Sequence, residues 1–191
     1  MIACEANDII YKRGLNDILK KYGTPDYTGS FALDLMTWRD LDIYLVNDDY
    51  DELKHFELGK EISQWYKPYK MSYRNEIITK SELLPRGLYW GVYTNNIFPD
   101  NWKIDIWAID GEQAGKYAKQ LNKYKAKLNV ENRNVILEIK YKCCKHPEYR
   151  KKFFSMDIYR AVFENRIMSI SDFAPWLQKE RGIDCFNENP C

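Results

Sequence analysis

Between residues 40 and 46 the chain reads Asp-Leu-Asp-Ile-Tyr-Leu-Val, with apolar residues alternating against acids and a tyrosine. Alternation of this kind marks a strand with one buried face, because side chains two apart share a face of the pleat. Leu41, Ile43 and Leu45 then point into a core, while Asp40, Asp42 and Tyr44 point the other way. Two carboxylates held this close repel each other, and at least one resists ionising, unless a cation neutralises the pair. The segment therefore demands a sheet with a packed face and a second face that carries a charged site.

The same arrangement recurs in the run 102–109, where Ile104 and Ile106 flank Asp105. A third carboxylate thus emerges from another strand. The hard cation suited to carboxylate oxygens and substrate phosphates together is Mg²⁺. Three carboxylates can hold two Mg²⁺ ions, one activating an attacking hydroxyl and one stabilising a pyrophosphate leaving group. Upstream, Gly29-Ser30 sits between a short extended segment and an apolar segment that opens a helix. Glycine lets backbone N–H groups approach a phosphate, and the serine hydroxyl adds a donor.

Around these motifs the expected elements alternate. Ile9, Ile10, Leu15, Ile18 and Leu19 predict a helix over 7–21, ended by Gly23 and Pro25, and an acidic start predicts another over 48–65. Residues 87–94 and 102–109 read as a hairpin-like pair of strands, and 71–78 as a weaker strand. After Asp110 the pattern turns helical, with Asp110 and Gln113 as a capping box and helices over 112–128, 133–145, 156–166 and 172–181. Ser155 and Ser171 are expected N-caps, Pro175 falls in a first turn, and Gly182 is a stop. The fold class is α+β: a mixed β-sheet with flanking helices over 1–110, then a helical C-terminal lobe over 111–191, with the site in the cleft between.

Gly29-Ser30, nine intervening residues, Asp40-Leu41-Asp42 and later Ile104-Asp105-Ile106 resemble the signature of the nucleotidyltransferase superfamily with the DNA polymerase beta-like fold. The resemblance spans the first 110 residues in element order. Arg39-Asp-Leu-Asp42, together with the size and the helical second half, is most similar to small lincosamide or aminoglycoside nucleotidyltransferases. It implies that Asp40 and Asp42 hold the metal on a nucleoside triphosphate, that Asp105 holds the catalytic metal and serves as base, and that Gly29-Ser30 cradles phosphate. It also implies two Mg²⁺ ions and transfer of a nucleoside monophosphate to a hydroxyl of a small-molecule acceptor, with pyrophosphate released. Transfer to protein or RNA, or a non-catalytic nucleotide-binding module of the same fold, are the alternatives. One departure is that many relatives follow Gly-Ser with an Ala-Arg-Gly-type segment, where this chain has Phe31-Ala-Leu-Asp34.

Other residues receive plainer readings. Lys103 shares the face of Asp105 and is the better candidate for a triphosphate contact; Arg39 is the second. Trp107, on the same face, could stack a nucleobase. Asp34, Asp48, Asp49 and Asp51 read as helix-start carboxylates, and His55 and His146 as surface residues. No Walker A, GxGxxG or HExxH motif occurs, which removes the usual kinase, dehydrogenase and zinc-protease readings.

The 191 residues, 45% hydrophobic and 30% charged, suffice for one well-buried core with a helical appendage. There is neither a leader-like start nor a bilayer-length apolar run. Cysteines at 4, 143, 144, 185 and 191 make no CxxC pair, so a structural zinc is not expected and a reducing, cytoplasmic setting is. The net charge of +1 hides an asymmetry: residues 1–110 carry 13 Lys and Arg against 18 Asp and Glu, and residues 111–191 carry 16 against 10. Strong overall basicity is missing, so nucleic acid is disfavoured as a partner. The expected partners are a nucleoside triphosphate and a small-molecule acceptor, without a membrane, and a homodimer is compatible with the sequence.

Overall fold

Leu41, Ile43 and Leu45 are buried, and Asp40, Asp42 and Tyr44 between them are partly exposed. The structure is a computed structural model and describes residues 1–49, 51–79, 81 and 84–184. Cys185 and Cys191 lie outside the described residues. Among these residues five strands form one sheet: β1 (Thr24–Tyr27), β2 (Asp40–Val46), β3 (Lys70–Asn75), β4 (Leu88–Thr94) and β5 (Trp102–Ile109), in the order β1-β2-β5-β4-β3. β2 and β5 run parallel, and the other neighbours are antiparallel. The expected mixed sheet and the β4–β5 pair are both present.

One face of the sheet is packed by helices α1 (Ile2–Asn7), α2 (Leu15–Leu19) and α4 (Glu52–Tyr66). Ala6 of α1, Leu15 of α2 and Leu58 and Ile62 of α4 form a single core with Leu41, Ile43, Ile104 and Ile106, all completely buried. Burying each such side chain contributes roughly 1.5–3 kcal/mol. This core holds β2 and β5 side by side, so their alternate residues are carried together on the opposite face.

The helix expected over 7–21 is broken. After α1 comes a π-helical turn, Asp8–Lys12, in which the Arg13 N–H donates to the Asp8 carbonyl five residues back at 2.8 Å. The wider turn allows the adjacent Ile9 and Ile10 both to be completely buried. Gly14 then turns left-handed and α2 begins. The weak strand over 71–78 is also divided, into β3 and the short helix α5 (Glu76–Thr79). The Asn75 side chain accepts from the Ile77 and Ile78 N–H groups and so starts the turn that ends the strand.

The chain forms two compact units, Met1–Leu121 and Asn122–Cys191, with the division inside helix α6 (Gly111–Lys127). The second unit holds α7 (Val130–Cys143), α8 (Ser155–Asn165) and α9 (Ile170–Arg181) around buried Ile136, Ile139, Phe153, Ile158, Phe173 and Leu177. Three start signals differ from expectation. Asn129 and Asn132 form a capping box, so α7 begins at 130 rather than 133. Phe154 stands at the N-cap of α8, while the Ser155 hydroxyl pairs with that of Tyr149. Ser169, not Ser171, caps α9, which puts Pro175 in its second turn.

Asp110 does accept from the Gln113 N–H at 2.7 Å, and the Gln113 amide returns to the Asp110 carboxylate and to the Arg86 carbonyl. Asp51 caps α4, and Asp48 accepts from the Gly111 N–H at the start of α6, so both serve helix N-termini. Asp34 does not begin a helix; it follows α3 (Gly29–Ala32) in the left-handed region, at φ 54. Among the described residues no helix is long and apolar enough to cross a membrane.

His55 corrects a surface assignment. It is 4% exposed on α4, stacked on Trp90, whose indole N–H donates to the His55 carbonyl at 2.9 Å. Burial lowers its pKa to about 4, against a hydrogen bond to the Tyr89 backbone and the nearby Glu52 charge, which act in the other direction. The unfolded chain binds this proton near pH 6.5 and the folded chain only near 4, so the stability due to neutral His55 is present above 6.5 and is lost as pH falls toward 4. We expect urea midpoints to drop across that window in the native protein, and that part of the drop to be absent in His55→Leu.

Candidate functional site

The parallel pairing of β2 with β5 sets Asp42 directly beside Asp105 and Asp40 beside Lys103. Neighbouring strands lie about 4.8 Å apart, and paired residues share a face, so all four side chains project from the sheet face opposite the core. The register extends outward: Lys103 pairs with Tyr93, Asp105 with Gly91 and Trp107 with Tyr89 on β4. On β3, Lys70, Ser72 and Arg74 continue the same three rows.

Lys103 sits between two of the acids. Its ammonium is paired with the Asp105 carboxylate and lies 3.6 Å from Asp40 Oδ1. Burial works against that positive charge, but the attraction of Asp105 and Asp40 outweighs it and raises the lysine pKa. Asp105 is 8% exposed. Burial pushes its carboxyl above the usual carboxylate range, and the charge of Asp40 adds to this; Lys103 and a hydrogen bond from Tyr89 pull the other way without cancelling it.

Tyr89 was not singled out by sequence. Its hydroxyl donates to Asp105 Oδ1 at 2.7 Å, passing over Gly91. A Cβ on Gly91 would stand 2.3 Å from that hydroxyl and 2.7 Å from Ser72 Oγ, so the strand must have glycine where the tyrosine crosses it. The available signal was the alternation Tyr89, Gly91, Tyr93, which places all three on the face of Asp105. Trp107 packs against Tyr89 with ring centres 4.6 Å apart, and Tyr44 stacks on Tyr117 at 4.8 Å, giving an aromatic row next to the acids.

Gly29 and Ser30 open α3, and the Thr28 N–H donates to the Asp42 carbonyl at 3.0 Å, which fastens this turn to β2. Gly29 is left-handed (φ 60), and a Cβ there would stand 2.2 Å from Asp42 Oδ2. Ser30 is 9% exposed. Arg39 is engaged elsewhere: its guanidinium forks onto Glu5 at 2.7 and 2.9 Å and reaches Asp100 at 2.8 Å. The bond to Arg39 holds the Glu5 carboxyl below its usual range despite burial.

The donor set at Asp40, Asp42 and Asp105 consists of hard carboxylate oxygens, which fits Mg²⁺. The Lys103 ammonium between Asp40 and Asp105 is a stand-in cation at that place. Among the described residues no three or more His, Cys, Asp or Glu side chains are gathered as a ready metal cluster. Use of these oxygens by a metal therefore requires Lys103 to release them.

No protein-family pattern matches the chain, and no curated protein sequence does. Solved structures do. The Cid1 poly(U) polymerase bound to Mg and 3'-dATP aligns with a TM-score of 0.59 at 14% identity, covering 84% of this chain and 48% of that one. The same polymerase with MgGTP gives 0.62 at 14% identity, covering 84% and 49%. A cytoplasmic RNA terminal U-transferase gives 0.55 at 15% identity, covering 84% and 46%. The chain spans about half the length of these structures. At such identities the likeness is one of fold, and the α+β fold with its five-stranded mixed sheet is that of these nucleotidyltransferases.

Gly29→Ala tests the closeness of the Gly29 turn to Asp42. A side chain there meets both an unfavourable φ and the carboxylate, so we expect a loss of roughly 1–3 kcal/mol in urea unfolding; a variant as stable as the parent would contradict the described approach.

Proposed function

We propose that this chain is a Mg²⁺-dependent nucleotidyltransferase that moves a nucleoside monophosphate from a nucleoside triphosphate to a hydroxyl at an RNA end, releasing pyrophosphate. The observation that carries this reading is the register that sets Asp42 beside Asp105, with Asp40 one step along the same face. The RNA acceptor is supported by the fold neighbours, a poly(U) polymerase and an RNA terminal U-transferase. The small-molecule acceptor suggested by Arg39-Asp-Leu-Asp42 has no counterpart among those neighbours, and Arg39 is bound to Glu5 and Asp100.

In this reading Asp40, Asp42 and Asp105 hold the metal, and Gly29-Ser30 cradles phosphate. Bound Mg²⁺ supplies Lewis-acid stabilisation of the charge that builds on the phosphate oxygens. Lys103 would leave Asp40 and Asp105 and turn its ammonium to the triphosphate, adding to the positive charge that meets the substrate's phosphates. Asp105 would take the acceptor proton as the hydroxyl oxygen bonds to the α-phosphorus and the bond to pyrophosphate breaks. Tyr89 fixes the Asp105 carboxylate for that step through its hydrogen bond. The aromatic row of Tyr44 and Trp107 offers flat surfaces to a base.

The test supplies each of the four nucleoside triphosphates, labelled at the α-phosphate, with Mg²⁺ and either a single-stranded RNA or a pool of aminoglycosides and lincosamides. Label on the RNA is expected, falling at least about 100-fold in Asp42→Asn, the scale of removing one preorganised charge-stabilising group. Label on the small molecules alone would move the acceptor back to that class. Nucleotide binding without transfer to either would leave a non-catalytic module.

A further inference from the structure

The row Asp40, Lys103, Tyr93, Lys70 crosses the sheet from the carboxylates to the edge strand β3. Lys70 stands two strand spacings, about 10 Å, from Lys103. Its ammonium lies over the Tyr93 ring, 4.8 Å from the centroid. Next to it, the Tyr69 N–H donates to the Tyr93 carbonyl at 3.0 Å, with the two rings 6.4 Å apart. At the C-terminus of α4, two residues before Tyr69 in the chain, Lys67 helps to wall a cavity of about 460 Å³ together with Arg13, Trp65, Tyr66, Asn96 and Ile97.

Two properties of this strip bear on what it can bind. Trp65 is 63% exposed and Tyr69 58% exposed, so two large aromatic faces stand in water. Among the described residues Arg13, Lys67 and Lys70 form no ion pair with a carboxylate, and the Arg13 guanidinium lies over the Phe98 ring, 4.8 Å from its centroid. Uncompensated cations interleaved with exposed aromatic rings match a strand that is anionic along its backbone and flat at each base. A duplex hides its base faces, and an acidic peptide has none.

We propose that this strip binds single-stranded RNA and leads it along the Lys70, Tyr93, Lys103 row to Asp105. The inference rests on the proposed RNA acceptor. Arg13, Lys67 and Lys70 take phosphates, Tyr69 and Trp65 stack bases, and the cavity holds an unstacked one.

The probe is a 5'-fluorescein 15-nucleotide oligouridylate, titrated with the full chain by fluorescence anisotropy over a range of KCl, without nucleotide or Mg²⁺. Combined Lys67→Asn and Lys70→Gln should weaken binding at least tenfold. It should also flatten the log-affinity against log-salt slope by about 1.4, two contacts at the single-strand value per phosphate. Tyr69→Ala, whose ring is exposed and packs on Tyr93, should cost about tenfold with little change in slope. Unchanged binding in these variants, or no binding by the parent chain, would overturn the proposal. So would a lysine effect reproduced on heparin with none from Tyr69→Ala, since that is attraction to any polyanion. Offering the same oligonucleotide as acceptor separates the two readings. Transfer with variant-insensitive binding removes the strip alone, and variant-sensitive binding without transfer removes the transferase reading alone.

Discussion

The parallel, in-register contact between β2 and β5 is the constraint on which the rest of the site depends. Side chains two apart on one strand are fixed by the pleat, but the neighbour across the strands is fixed only by register. A slip of one residue would turn Asp105 into the core and bring Ile104 or Ile106 onto the charged face. That slip is opposed by the core beneath, where Leu41, Ile43, Ile104 and Ile106 are completely buried against α1, α2 and α4. The apolar face thus sets the position of the acids on the other.

Holding those acids together is electrostatically unfavourable, and the structure offsets this locally. Lys103 supplies positive charge between Asp40 and Asp105, Tyr89 donates to Asp105, and burial leaves Asp105 with a raised pKa. Glycine stands at both crowded points: Gly29, where the chain approaches Asp42, and Gly91, where Tyr89 crosses its own strand. Lys103 occupies the place between Asp40 and Asp105 that, on the proposed reading, it gives up to a metal when substrate arrives.

Much of this was legible in the sequence because it rests on period-two alternation. The strand limits of β5, the buried and exposed sides of β2 and the common face of Lys103, Asp105 and Trp107 all follow from it. What was not legible depends on contacts distant in sequence. His55 reads as polar, yet Trp90 from β4 covers it. Tyr89 reads as a strand former, and only the register of β4 on β5 brings it to Asp105. The break in the first helix comes from the need to bury Ile9 and Ile10 together, a tertiary demand that helical periodicity does not register. Arg39 shows the same limit, since it lies in the bend before β2 and its partner Glu5 lies in α1, 34 residues away.

The central claim is that Asp40, Asp42 and Asp105 converge to bind a divalent cation with a triphosphate. The most direct measurement is titration of Mn²⁺ as a spectroscopic substitute for Mg²⁺, followed by loss of the free-ion paramagnetic resonance signal in the presence of a non-hydrolysable nucleoside triphosphate. The account predicts that the native chain takes up the ion beyond what nucleotide alone binds, and that Asp105→Asn and Asp42→Asn each abolish this excess. Uptake unchanged by either substitution, or no excess in the native chain, would contradict it.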